Sequence, residues 1–402
     1  MKWLHSLSVV LVISLTLTAC GGGGDGGGGI PPPSTGVFID SPVQGLTYSS
    51  APSGLSGLTG PNGEFLYRAG DLVTFSIGGR FIAQVLGQPQ ITPFTLFGRT
   101  GTPSVTDAGP VNMAQLLLAL DSVPGPETIT VPATLPIFPV QTDFFFPEFD
   151  TEMQTAGIPI ALEADAIAHL QKQFAIWGSW ATTITPSELQ VITFMPDGAF
   201  ILAHDDDPLV TGGVDGMERG TYRWNATTNE LAYSVTVDTD GTGGLSHLTT
   251  SLTPPYTFVI DPSGNSAVLH FGPNVSDQIV FTRVIDATKP FVGTWKLVEP
   301  IADFSTVLTV FSDGTFMVAS DAFDTEPAGM ERGTYAYDAT TGNVTFTTTV
   351  DTNGALGGNA DPTLPAVGVV QANFVGGLIQ IDTLRFNDGP NAVADFDRVR
   401  VP

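Results

Sequence analysis

The run Gly216-Met217-Glu218-Arg219-Gly220-Thr221-Tyr222 recurs unchanged at Gly329-Met330-Glu331-Arg332-Gly333-Thr334-Tyr335, 113 positions later. A chain carrying such a repeat must build one structural unit twice. The flanks keep the same order. Gly178-Ser179-Trp180 matches Gly293-Thr294-Trp295 at an offset of 115, Asp197-Gly198-Ala199-Phe200 matches Asp313-Gly314-Thr315-Phe316 at 116, and Phe281-Thr282-Arg283-Val284 matches Phe396-Asp397-Arg398-Val399 at 115. The spacing therefore predicts two complete copies, at 177–286 and 287–402.

Both copies read as antiparallel β structure. Asp-Gly turns separate alternating runs such as Leu231-Ala232-Tyr233-Ser234-Val235-Thr236-Val237 and Val344-Thr345-Phe346-Thr347-Thr348-Thr349-Val350, whose period of two sends one face inward. Composition agrees: 42% hydrophobic residues, only 13% charged, with 46 Gly and 31 Pro to make turns. About 110 residues of consecutive strands either close into a barrel or stack as a sandwich. Gly-x-Trp on the first strand with Arg on the last resembles the lipocalin-like pattern. That resemblance implies a barrel sealed at one end by Trp180 under Arg283 and by Trp295 under Arg398. The fold class expected is mainly all-β, with two tandem antiparallel lipocalin-like barrels behind a small N-terminal β domain and a short helical connector.

Upstream, residues 1–19 combine Lys2, an apolar stretch and small residues before Cys20, as a signal peptide does. Leu17-Thr18-Ala19-Cys20 resembles the lipobox of bacterial lipoproteins. The resemblance implies that Cys20 is lipidated and holds the chain on a membrane, where acyl burial at about 0.8 kcal/mol per CH₂ makes the anchor lasting. Gly21 rather than Asp after the cysteine implies the outer membrane of a Gram-negative envelope, on its periplasmic or surface face. Residues 20–35 are then a tether, flexible through its glycines and stiffened by Pro31-Pro32-Pro33. Cys20 is the sole cysteine, so the fold must hold without disulfides.

Residues 36–104 read as short strands joined by Gly60-Pro61-Asn62-Gly63 and Gly78-Gly79 turns. Asp40-Ser41-Pro42-Val43-x-Gly45-Leu46-x-Tyr48 and Gly63-Glu64-Phe65-x-Tyr67-x-x-Gly70 resemble a module of bacterial surface and adhesin-like lipoproteins, which implies location rather than activity. In the connector, 105–176, helices are expected at Val111–Asp121 and across 161–177. His169 falls off the apolar row and reads as solvated. Phe144-Phe145-Phe146 reads as buried against a neighbouring domain, with a docking patch as the other reading.

Forty acidic against fourteen basic residues give a net charge of -26, which excludes nucleic acid and other polyanions as partners. In each repeat, successive Glu and Arg point to opposite faces of a strand, so one of each pair, Glu218 or Arg219 and Glu331 or Arg332, looks inward. An inward arginine would hold a ligand carboxylate, as in the fatty-acid-binding barrels that the pattern resembles; a structural charge paired across the sheet is the reading the duplication itself favours. Asp238, Asp240 and Asp351 sit at glycine turns, with Asp205-Asp206-Asp207 in the first copy, and offer oxygen ligands that calcium would take, although the spacing is not an EF-hand. No other cofactor is expected. His204, His247 and His270 occur only in the first copy, and a metal site would need His204 and His247 to converge with the aspartates. There is no Gly-x-Ser-x-Gly elbow, and no nucleophile is set beside a base.

The sequence thus points to a lipid-anchored envelope protein with a non-catalytic role. One reading is a binder of small apolar or carboxylate ligands inside the barrels. The alternative is adhesion or scaffolding against envelope or surface partners. A hydrolase is the third, and would need a converging acid, base and nucleophile.

Overall fold

The computed structural model describes residues 32–97 and, with short gaps, 107–399; 1–31, 98–106 and 400–402 lie outside it, as do 207–213, 249–255 and 355–365 among the gaps. Cys20 and the tether are therefore outside the described residues.

The N-terminal unit comprises β1 (Ser34–Phe38), β2 (Val43–Gln44), β3 (Thr47–Ala51), β4 (Leu55–Leu58), β5 (Glu64–Tyr67), β6 (Leu72–Ile77), β7 (Arg80–Leu86) and β8 (Gln90–Ile91), then α1 (Pro93–Phe97), α2 (Ala108–Leu120), β9 (Ile129–Thr130) and α3 (Phe149–Thr155). Its strands form sheets β4-β3-β6-β7, β5-β1-β8 and β2-β9. Gly63 turns the chain at a φ of 76°, where a Cβ would press on the Phe38 carbonyl. The first of the helices expected in the connector, α2, is part of this unit, together with α3. Met113, Leu116 and Leu117 of α2 and Phe149 and Met153 of α3 share one core with Phe38, Phe65 and Phe75, and β9 pairs with β2. The reason is the apolar character of α2 on all sides, which buries ten of its thirteen residues. Phe144 is buried against Phe97 and Phe149 while Phe145 is exposed; Phe146 is outside the described residues.

Helix α4 (Glu163–Gln173) joins this unit to the first barrel. Leu170, Phe174 and Trp177 pack with Phe94 of α1 and with the barrel interior. His169 is not solvated: its Nε2 lies 3.0 Å from the carboxylate of Asp40, which is fully buried in the Asp-Ser-Pro-Val phrase. Burial pulls the His169 pKa down, but the Asp40 carboxylate and its hydrogen bonds outweigh that, and the net shift is upward. A raised histidine pKa gives stability that is whole below the unfolded value of about 6.5 and is lost as pH rises through the folded value. The stability advantage of the native chain over His169→Gln, measured by urea unfolding, is therefore expected to be greatest in mild acid and to shrink above about pH 6.5. An advantage that grows with pH would refute this pairing.

The first barrel is β10 (Gly178–Thr185), β11 (Glu188–Phe194), β12 (Ala199–Asp205), β13 (Gly216–Trp224), β14 (Glu230–Asp238), β15 (Tyr256–Ile260), β16 (Ser266–His270) and β17 (Gln278–Arg283). The second is β18 (Gly293–Leu297), β19 (Thr306–Val310), β20 (Thr315–Ser320), β21 (Gly329–Tyr337), β22 (Asn343–Asp351), β23 (Ala366–Val375), β24 (Leu378–Asn387) and β25 (Val393–Val399). In each, neighbouring strands pair antiparallel in sequence order and the last strand returns to the first, so the barrel is closed and the sandwich alternative falls away. None of the described helices is long and apolar enough to cross a membrane.

The repeated heptapeptide opens β13 and β21, and each of its positions has a task. Gly220 and Gly333 sit at bulges and face inward, where a Cβ would collide with a carbonyl of the next strand and with the ring of Phe200 or Phe316. Tyr222 and Tyr335 donate their hydroxyls to the carbonyls of Met195 and Phe311, at 2.9 and 2.7 Å. Met217 and Met330 face outward into a separate cluster with Val191, Ile201, Val307 and Met317, in which the two barrels meet.

That meeting is a pseudo-two-fold interface. Arg219 pairs with Asp321 of the second barrel at 3.0 Å, and the equivalent Arg332 pairs with Asp205 of the first. Between them Ser179, Thr193, Thr294 and Thr309 share hydroxyl hydrogen bonds across the junction. Repeated units meeting through the same patch behave like an isologous dimer in one chain. It also explains why β11, β12, β19 and β20 are buried almost throughout instead of alternating, since both of their faces are covered.

Candidate functional site

Both barrel ends carry the expected seal. Trp180 and Arg283 are register partners, as are Trp295 and Arg398, and each guanidinium lies over its indole, 3.9 Å and 5.5 Å from the ring centroid. Each contact contributes about 0.5–2 kcal/mol. The first seal is the more complete: Arg283 also donates to the carbonyls of Ala175, Trp177 and Gly264, tying the exit of α4 to the β15–β16 turn. The indole nitrogens of Trp180 and Trp295 donate to Ile176 and Phe291, at matching positions.

Above the seals, the described residues pack their side chains into the lumens. Phe194, Phe200, Leu231, Phe258, Leu269 and Phe281 occupy the first, with edge-to-face ring contacts; Leu308, Phe316, Val318, Phe346, Leu384 and Phe396 occupy the second. A cleft of about 610 Å³ lies outside the first lumen, between α4 and the β15–β16 turn, beside Lys172, Trp224 and Asp261.

The expectation of an inward arginine is corrected. Arg219 is paired in register with Ile201 and Val237 on the outer face, and Arg332 with Met317 and Val350, so each meets the aspartate of the other barrel rather than a lumen. The preceding glutamates sit opposite Leu202 and Val318 on the inner face. Glu218 and Glu331 are both fully buried. Glu331 accepts from the Thr348 hydroxyl at 3.3 Å. Glu218 accepts the backbone N–H groups of Leu245 and Ser246, each at 2.8 Å, and thereby draws the 243–248 turn across the barrel mouth with Leu245 buried beneath it.

This mouth collects what the sequence scatters. Asp240 is fully buried near Glu218, and His204, only 2% exposed, has Nδ1 3.6 Å from the Asp240 carboxylate. The other imidazole nitrogen, Nε2, faces Glu188 at 3.4 Å and Asp206 at 3.9 Å. Asp206 is held in place by its backbone N–H, which donates to Asp215 at 2.9 Å. Exposed Asp238 and His247 lie on the solvent side, joined through Ser246. Two groups result with ligand atoms mutually within 4.8 Å: Glu188, His204 and Asp206, and Glu218, Asp238, Asp240 and His247. His270, at the end of β16, belongs to neither.

Electrostatics here follow from crowded carboxylates in a dry place. Burial raises the Glu218 pKa, and the charge of Asp240 adds to it against the hydrogen bonds from Ser246 and Leu245. Burial likewise raises Asp240, with Asp238 adding and His204 opposing. His204 is pulled down by burial but pushed up further by Asp240 and Glu188, for a net rise.

No family model matches the chain, and no curated protein or solved structure matches it.

The second barrel has lost most of this chemistry. Ser320 stands where the first has His204, Ala322 where it has Asp206, and Asn353 where it has Asp240. Asp351, expected as an oxygen ligand with Asp238 and Asp240, instead caps a turn by accepting the N–H groups of Asn353 and Gly354 at 3.1 and 3.0 Å. Glu188 was not legible as a site residue from the sequence. Its one signal is that it starts the strand whose register places it beside His204, and that register is set by the β11–β12 hairpin pairing.

Proposed function

We propose that the chain is a lipid-anchored envelope protein with a non-catalytic scaffolding role, in which fused solid barrels present their outer faces and loops to envelope or surface partners. The observation that carries this reading is the packing of described side chains inside the lumens: a barrel core built of its own aromatic rings has the packing of a structural core, where ligand cups keep a concave, ligand-sized space. The outward arginines support it, because without them a carboxylate ligand inside either barrel would meet buried glutamates. The Cys20 anchor and outer-membrane placement remain what the lipobox resemblance implies. Among the described residues of 144–149, Phe144 and Phe149 are buried and Phe145 is exposed, so the contact surface is sought on the barrels.

Native mass spectrometry of the purified chain, with a fluorescent fatty acid added in a parallel titration, tests this. The expected result is no retained lipid and no saturable binding. One fatty acid held per chain, released only on unfolding, would return the cup reading.

A further inference from the structure

We propose that the mouth of the first barrel is a binding site for one divalent transition-metal ion, held by His204 Nε2, Glu188 and Asp206, with Asp240 fixing the imidazole from behind. This goes beyond the scaffolding role and does not depend on it.

The argument starts from His204. It is nearly fully buried, its Nδ1 makes no hydrogen bond, and the facing Asp240 carboxylate is fully buried with neither oxygen hydrogen-bonded. A proton on Nδ1 is the simplest way to reconcile these two groups. Nε2 then faces two carboxylates, which call for a positive charge among the three, supplied either by a second proton on the imidazole or by a metal ion. The spacings fit an ion: 3.4 and 3.9 Å are long for hydrogen bonds, but donors each about 2.0–2.2 Å from a shared metal stand roughly 3–4 Å apart. A carboxylate on the far nitrogen of a ligating histidine orients the ring and raises its basicity. The side chains of Glu188 and Asp206 are 13% and 8% exposed, so the ion has a route in and a solvent-facing position for water. One imidazole with two carboxylates suits zinc, manganese or cobalt better than calcium, which prefers oxygen throughout.

The site ties three separate pieces of chain, the start of β11, the end of β12 and, through Asp240, the turn after β14. The second barrel, with Ser320, Ala322 and Asn353 in the corresponding places, is an internal control that should take no ion.

The test is isothermal titration of the chelator-treated full chain with Zn²⁺ and separately with Ca²⁺, and cobalt substitution read by its visible absorption. One equivalent of Zn²⁺ is expected, with Ca²⁺ far weaker. Asp240→Asn is expected to weaken Zn²⁺ about 10–100-fold while leaving one site, the size of effect that outer-shell partners have. His204 is a core residue whose loss could unfold the barrel, so Glu188→Gln and Asp206→Asn, both toward solvent, carry the test: each should change the cobalt spectrum and weaken binding with the far-UV circular dichroism unchanged. No Zn²⁺ binding, two equivalents per chain, a preference for Ca²⁺, or binding indifferent to Glu188→Gln and Asp206→Asn would each overturn the assignment.

Discussion

Trp180→Ala is expected to destabilise the first barrel by about 3–5 kcal/mol, the range for truncating a large aromatic residue in a packed core. The indole is fully buried, its N–H satisfies the Ile176 carbonyl, and its face supports the Arg283 guanidinium. Removing it opens a cavity at the point where β10 and β17 close the ring. It also leaves Arg283, whose donors are fixed on three carbonyls, unable to move in and fill the space. Trp295→Ala should cost less. Its arginine lies farther from the ring and is tied to Val292, so the second seal has more freedom to relax. Urea unfolding followed by far-UV circular dichroism measures both. A loss below about 1 kcal/mol for Trp180→Ala would mean that the seal is ornamental.

Arg332→Ala is expected to cost about 2–3 kcal/mol, somewhat below the figure for a fully buried pair because the Arg332 side chain is 33% exposed. The cost arises mostly at Asp205, which is 4% exposed and would be left as an uncompensated charge between the barrels. Arg219→Ala should cost less, although the two arginines occupy equivalent places. Its partner Asp321 also accepts the Ser305 N–H at 2.9 Å and keeps that hydrogen bond when the arginine goes. A double-mutant cycle with Asp205→Asn separates the pair from its surroundings: the double mutant should recover much of the loss, with a coupling energy of about 1–3 kcal/mol. Additive single effects would show that the Arg332–Asp205 pair adds nothing of its own to the junction.

The two predictions mark what was legible and what was not. The seal was expected from the resemblance of Gly-x-Trp and a terminal Arg to the lipocalin-like pattern, which the duplication presents twice at matching offsets. The fate of Arg219 could not be read this way. A strand's period of two says that Glu218 and Arg219 face opposite ways, but not which way is in. The tertiary structure decides that: Glu218 shares the face of core Leu202, Arg219 that of Ile201 at the junction, and the partner barrel gives the outward charge something to pair with. The same limit hid the continuous burial of β11 and β12. Their lack of alternation is a property of two touching surfaces, and neither surface is written in one strand.

Duplication, period-two patterning and glycine turns in the amino-acid order alone determined two sibling β units, since these are local rules applied along the chain. The convergence of Glu188, His204, Asp206 and Asp240 is of another kind. Glu188, His204 and Asp206 share the β11–β12 hairpin while Asp240 follows β14, up to fifty-two positions away, and only the pairing of β11 through β14, which fixes each register, sets the four side chains around one point.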